Sequence, residues 1–155
     1  MKNEITCKRL VCSILLLCTI ILWSCEKDSN NATPNPTPAN GSFTWTVNGG
    51  TTVITADSAF YRAAFKTIFA YKKISGVMQL QYEINLTGGT AATYPVGASN
   101  AITYTANLPY FVATAGNVII TANTGTKVTG SFQGTGTLTS GTSSVSGTFT
   151  DIPVQ

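Results

Sequence analysis

The sequence predicts an all-β fold, an antiparallel β-sandwich or flattened barrel of about eight strands, preceded by a signal peptide and a Pro/Thr-rich tether. Three observations carry that expectation. From residue 42 to the end, short runs rich in Thr, Val, Ile, Phe and Tyr alternate with Gly- and Asn-containing breaks, the composition of strands joined by tight turns. Charged residues make up only 10% of the chain against 43% hydrophobic, a balance that supports a packed core rather than disorder. Residues 42–155 span 114 positions, and a domain of that size buries roughly two-thirds of its unfolded surface without disulfide staples.

The chain opens with Lys2, Lys8 and Arg9, followed by an uncharged run of 14 residues from Leu10 to Trp23, mostly Leu, Ile, Val and Cys. As a helix that run extends about 21 Å, short of a hydrocarbon core about 30 Å thick. A basic start, a short apolar centre and a small residue at the cut describe an export signal, residues 1–24. Leu22, Trp23, Ser24 and Cys25 resemble the lipobox of bacterial lipoproteins. That resemblance implies diacylglycerol in thioether linkage to Cys25, cleavage after Ser24 and acylation of the new amino group. The alternatives are an incidental cysteine behind an ordinary signal peptide, or a leader retained as an anchor. Cys7, Cys12 and Cys18 all fall in the leader, so the exported chain keeps Cys25 alone and has no disulfide. Two or three acyl chains anchor stably where one is marginal.

Glu26, Lys27 and Asp28 follow the cysteine. They resemble the acidic patch after the lipidated cysteine of Bacteroidota lipoproteins moved to the cell surface. The expected location is therefore the outer membrane, surface-exposed, with the periplasmic leaflet as the alternative. The formal charge of +3 comes mainly from the leader; beyond residue 24 six cations face five anions. Such a chain has no bulk charge with which to hold nucleic acid. Residues 25–41 form the lipidated cysteine and a flexible tether, with Pro34, Pro36 and Pro38 among Asn, Thr and Ala. Alternate prolines block helix and ladder alike and favour extended chain, reaching about 50 Å when fully drawn out.

Within the β domain, 42–155, Phe43, Trp45 and Val47 alternate with Thr44 and Thr46, and Asn48-Gly49-Gly50 supplies residues that tolerate positive φ. A strand, a turn and a second strand are expected there. The segment 57–76 is ambiguous. Asp57 and Gly76 fit the ends of a helix, with Tyr61, Phe65 and Ile68 on one face. The β-branched and aromatic run Thr67–Tyr71 favours two strands joined near 63–66, which is the preferred reading. Met78, Leu80, Tyr82, Ile84 and Leu86 alternate with polar residues, the cleanest half-buried strand in the chain. A hairpin is expected to turn at Asn123–Gly125, and residues 143–152 to form the last strand. An internal echo relates VTGSFQ at 128–133 to VSGTFT at 145–150. In each copy Val, Gly and Phe share one face and the hydroxyl residues the other, and glycine leaves a gap that a ring from the adjacent strand can cover. The copies are expected to be neighbours with Phe132 and Phe149 in one core; chance similarity in a Thr- and Gly-rich tail is the alternative.

The order LWSCEKD, Pro/Thr stalk, FTWTVNGG, TADSAF, TYPVGASNAITYT, NVIITAN and VSGTFTDIPV resembles a group of Bacteroidota lipoproteins carrying a C-terminal β domain of unknown function. The resemblance implies an extracytoplasmic β domain and brings no catalytic or binding residues with it.

Histidine is absent and only Asp57, Glu83 and Asp151 are carboxylates within the domain. Ser-His-Asp, Cys-His and histidine zinc chemistry are thereby excluded, and a paired-carboxylate hydrolase is only a distant third reading. No catalytic residue, metal or cofactor is expected. Arg62, Lys66, Lys72 and Lys73 form the one basic grouping, a candidate anion contact or simply edge-strand protection. Tyr94, Tyr110 and Phe111, beside Pro95 and Pro109, are candidate exposed rings for ligand contact. Asp57-Ser58-Ala59 resembles the short O-glycosylation site of Bacteroidota, making Ser58 a candidate if exposed. The expected function is a non-enzymatic binding or interaction module held at the membrane through Cys25, its partner a glycan or an envelope protein. The alternative is a structural envelope component without a small ligand.

Overall fold

The computed structural model describes residues 41–105, 110–138 and 141–155. The leader, Cys25 and nearly all of the tether lie outside the described residues. The fold is all-β: β1 (Ser42–Val47), β2 (Ile54–Thr55), β3 (Ser58–Arg62), β4 (Thr67–Ile74), β5 (Val77–Asn85), β6 (Ala92–Pro95), β7 (Ala101–Tyr104), β8 (Phe111–Asn123), β9 (Lys127–Leu138) and β10 (Gly141–Pro153). They form one curled antiparallel sheet in the order β2-β1-β10-β9-β8-β7-β5-β4-β3, with β6 added to β8. A single half-barrel sheet of ten strands thus stands where a sandwich or barrel of about eight was expected. The two strands not expected are β6 and β7, four residues each, whose pairing is too brief to leave a period in the sequence.

The curl brings the ends of the sheet together along residues 54–62. Ile54 and Thr55 pair with β1, then Ser58–Arg62 pair with β4 at the far end of the order. Asp57 forms the corner between them: its N–H donates to Tyr71 O at 2.9 Å, and its carboxylate accepts from the Lys73 N–H at 2.7 Å. The C-terminus adds a parallel bridge between Tyr61 and Val154, flanked by Gln155 N–H to Tyr61 O and Ala63 N–H to Gln155 O. Edge groups of β3 that would otherwise invite another chain are thereby partly satisfied within the molecule.

Segment 57–76 is two strands, β3 and β4, turning at Ala63–Lys66. Ser75 and Gly76, at φ 50° and 84°, make the two-residue turn into β5, so Gly76 ends a hairpin arm rather than a helix. The expected turn at Asn48-Gly49 holds, at φ 54° and 66°, and Asn48 Oδ1 accepts from Ser143 Oγ and Ser144 N–H. The turn between β8 and β9 also falls where expected, around Gly125.

One register differs from the expected alternation. Ala70 pairs with Tyr82 whereas Tyr71 pairs with Leu80, leaving Gln81 as an extra residue in β5. A bulge of this kind inverts the faces on either side of it. Tyr82, Ile84 and Leu86 join the core, while Met78 and Leu80 share the opposite face with Tyr71.

The internal echo is a packing device. β9 and β10 are neighbours, with Phe132 opposite Gly147 and Phe149 opposite Gly130. A Cβ at Gly147 would meet the Phe132 ring at 2.6 Å, and one at Gly130 the Phe149 ring at 2.5 Å. Each glycine therefore supplies the space its partner's ring fills. Phe43 from β1 stacks on Phe132 at 5.2 Å. From the other wall, Tyr82 reaches Trp45, Phe132 and Phe43 at 5.2, 5.2 and 5.4 Å, and Tyr104 at 4.7 Å. Burying each ring stabilises by roughly 1.5–3 kcal/mol, and each ring pair adds about 0.5–1.5 kcal/mol.

Two polar atoms in this cluster, Trp45 Nε1 and Tyr82 Oη, are buried without a hydrogen-bond partner. Burial, and then the neighbouring Tyr104, push the Tyr82 phenol well above its ordinary value. The unfolded chain therefore loses this proton first as pH rises. The contribution is fully present below about pH 10 and declines above it.

Two outcomes follow from the core. Gly147→Ala is expected to destabilise the domain by about 1–3 kcal/mol through overpacking against Phe132 and the Thr44 carbonyl, read from urea unfolding midpoints. Tyr82→Phe, by removing an unpartnered hydroxyl, is expected to leave stability at neutral pH unchanged or raise it by up to about 2 kcal/mol. The same variant flattens the alkaline decline when unfolding is repeated above about pH 10.

Candidate functional site

The outward face of β1, β10, β9 and β8 carries an open groove of about 430 Å³, within the range of about 300–1,000 Å³ of ligand clefts. Antiparallel register builds its floor as two rows. One runs Thr44, Thr148, Ser131, Ile119; the next runs Thr46, Ser146, Gln133, Asn117. The rows exist because Phe43 and Trp45, Phe132, and Phe149 point inward, which turns the intervening hydroxyl and amide residues outward. Neighbouring strands lie about 4.8 Å apart, so the floor is about 14 Å across from β1 to β8. Val53, 63% exposed, borders the groove at the β2 margin, and Ile119, 39% exposed, borders it on β8.

The groove lining contains no charged residue. Some of its polar groups are already engaged: Thr44 Oγ1 and Thr148 Oγ1 lie 3.1 Å apart, as do Thr46 Oγ1 and Ser146 Oγ. Asn117, Ser131 and Gln133, in contrast, make no side-chain hydrogen bond with the described residues. Asn117 and Gln133 are directly opposite each other in the β8–β9 register, so two amides, each a donor and an acceptor, face solvent side by side.

The rings expected at the surface divide. Tyr110 is 55% exposed, but Phe111 is 2% exposed in the core and Tyr94 is 7% exposed. The Tyr94 hydroxyl donates to Thr90 O at 2.8 Å. Tyr94 lies within β6 and Phe111 opens β8, and in a strand one side chain in two turns inward. Ser58 is buried at 3%, so its hydroxyl is not presented for modification in the folded domain.

The basic residues do not converge. Arg62 and Lys66 lie at the β3–β4 turn, where Arg62 sits 5.6 Å over the Phe65 ring and Lys66 Nζ donates to Thr87 O. Lys72 is about 17 Å further along β4 by strand rise; its Nζ donates to Thr55 O at 2.8 Å and lies 3.8 Å from Asp57. Lys73 is exposed on the opposite face from Lys72. Among the carboxylates, Asp57 serves the sheet corner, Glu83 accepts from Asn85, and Asp151 pairs with Lys127 at 3.6 Å. Among the described residues no three potential metal-ligating side chains come together.

Regular β3–β4 register also lines up an aromatic strip on the opposite face from Ala70. Phe60 lies 5.5 Å from Phe69 and 6.0 Å from Tyr71. Burial raises the Tyr71 phenol pKa, with Arg62 opposing and Glu83 reinforcing that shift. The hydroxyl face of the echo was visible in the sequence, but Asn117, Gln133, Ile119 and Val53 were not picked out as its neighbours. Only strand register assembles them. Comparison with protein-family models, with curated proteins and with solved structures finds no match to this chain.

Proposed function

We propose that this protein is a lipid-anchored component of the bacterial cell envelope, held through Cys25, whose β domain is a non-catalytic binding module for a neutral glycan. The observation that carries the glycan reading is the groove itself. It is open, uncharged, floored by hydroxyls and edged by two unengaged amides. Sugar hydroxyls are matched by groups that both donate and accept, whereas a charged polymer would be left without counter-charge. The lipobox-like sequence and the proline-rich tether support the anchoring, and a reach of about 50 Å carries the groove clear of the headgroups. The dispersed carboxylates, each already bonded, favour binding over hydrolysis.

Two measurements test this reading. Cys25→Ser is expected to move the protein from the detergent-soluble membrane fraction to the soluble exported fraction, and to remove acyl mass in intact-mass spectrometry. On a glycan array the domain is expected to retain neutral oligosaccharides and not sulfated ones. The Asn117→Ala/Gln133→Ala pair is expected to reduce that signal about tenfold or more, while Tyr110→Ala leaves it intact. A blank array together with stoichiometric recovery of an envelope protein would replace the glycan reading with a protein-interaction one.

A further inference from the structure

The groove distinguishes among neutral sugars, and this step rests on the glycan reading above. We propose that its β8–β9 end selects a 2-acetamido sugar, an N-acetylhexosamine unit, over the corresponding 2-hydroxy sugar. An acetamido group has three recognisable parts: an N–H donor, a carbonyl acceptor and a methyl group. The groove presents a counterpart to each within one small area. Asn117 and Gln133 are cross-strand partners with unengaged side chains, and together they offer two carbonyl acceptors and two NH₂ donors. Ile119 stands two residues from Asn117 on the same outward face and is 39% exposed, an apolar surface beside the amide pair. Ser131, opposite Ile119 in the register, is a further unengaged hydroxyl for the ring.

An isoleucine beside the amide pair gives the acetamido methyl an apolar surface, which a 2-hydroxy sugar has no methyl to fill. Conversely, an apolar residue alone would not separate sugars from other amphipathic ligands. The amide pair beside one aliphatic side chain matches an acetamido group in both hydrogen-bond direction and polarity. A free 2-amino sugar fits poorly. It brings a positive charge to a groove whose lining has no carboxylate and has no methyl for Ile119. No covalent step is involved.

The test uses three tetrasaccharides of identical β-1,4 backbone that differ only at the 2-position: chitotetraose, cellotetraose and the fully deacetylated chitosan tetramer. Titration calorimetry on the exported chain is expected to give at least about tenfold tighter binding of chitotetraose than of cellotetraose, and no binding of the deacetylated tetramer. Ile119→Thr keeps the β-branched shape at an exposed site. It is expected to remove the preference for chitotetraose while leaving cellotetraose affinity unchanged, with circular dichroism confirming the fold. Equal affinity for chitotetraose and cellotetraose, or a preference that survives Ile119→Thr, overturns the acetamido inference and leaves the glycan reading standing. Failure of the folded protein to bind either tetrasaccharide, with a blank neutral-glycan array, overturns both.

Discussion

The structure depends on aromatic rings lying over glycines. A curled sheet of this size has an interior too narrow for large side chains at every inward position, yet too wide for small ones throughout. Alternation of Gly130, Phe132, Gly134 and Gly136 on β9, against Val145, Gly147 and Phe149 on β10, resolves this. Each ring occupies the space that a glycine on the next strand leaves open, and Tyr82 enters from the opposite wall to close the centre. Glycine in a strand interior is unfavourable by itself, through backbone entropy and lost packing. Here the cost is offset because the neighbouring ring is buried against the bare backbone.

That arrangement also shapes the outer surface. Placing Phe and Gly inward forces Ser131, Gln133, Ser146 and Thr148 outward, so the packing rule of the core and the chemistry of the groove are two faces of one alternation. Hydroxyls paired across strands, Thr44 with Thr148 and Thr46 with Ser146, stiffen the floor without introducing charge. Within the groove itself, residues 44–46, 146–148, 131–133 and 117–119 pair across the four strands without a register shift. Positioning polar groups on a rigid sheet rather than on a mobile loop reduces the ordering entropy of binding.

The absence of histidine and the scattering of the carboxylates fit the same theme. Asp57 is spent on the corner where the sheet turns back on itself, bonding the Lys73 amide and facing Lys72. Asp151 sits at the β10 irregularity with φ 53°, where it accepts from Thr129 and pairs with Lys127. These acids maintain backbone geometry at places where regular pairing is interrupted.

By itself the sequence determined the class of fold, most turns and the partnership of the last two strands. Period-two alternation, positive-φ residues and the repeated Val-Gly-Phe pattern are local signals, each set by the geometry of a few adjacent residues. It also shows that these 155 residues contain no histidine. Tertiary structure alone decided which faces met. Whether Gln81 would be bulged, inverting Met78 and Leu80 relative to Tyr82, depends on the register of β4 and β5. Whether Tyr94 and Phe111 would be buried depends on which side of β6 and β8 faces the core. The groove residues come from separate strands and a connecting segment between positions 44 and 148. They become neighbours only through hydrogen-bond register, a long-range property that no short window of sequence contains.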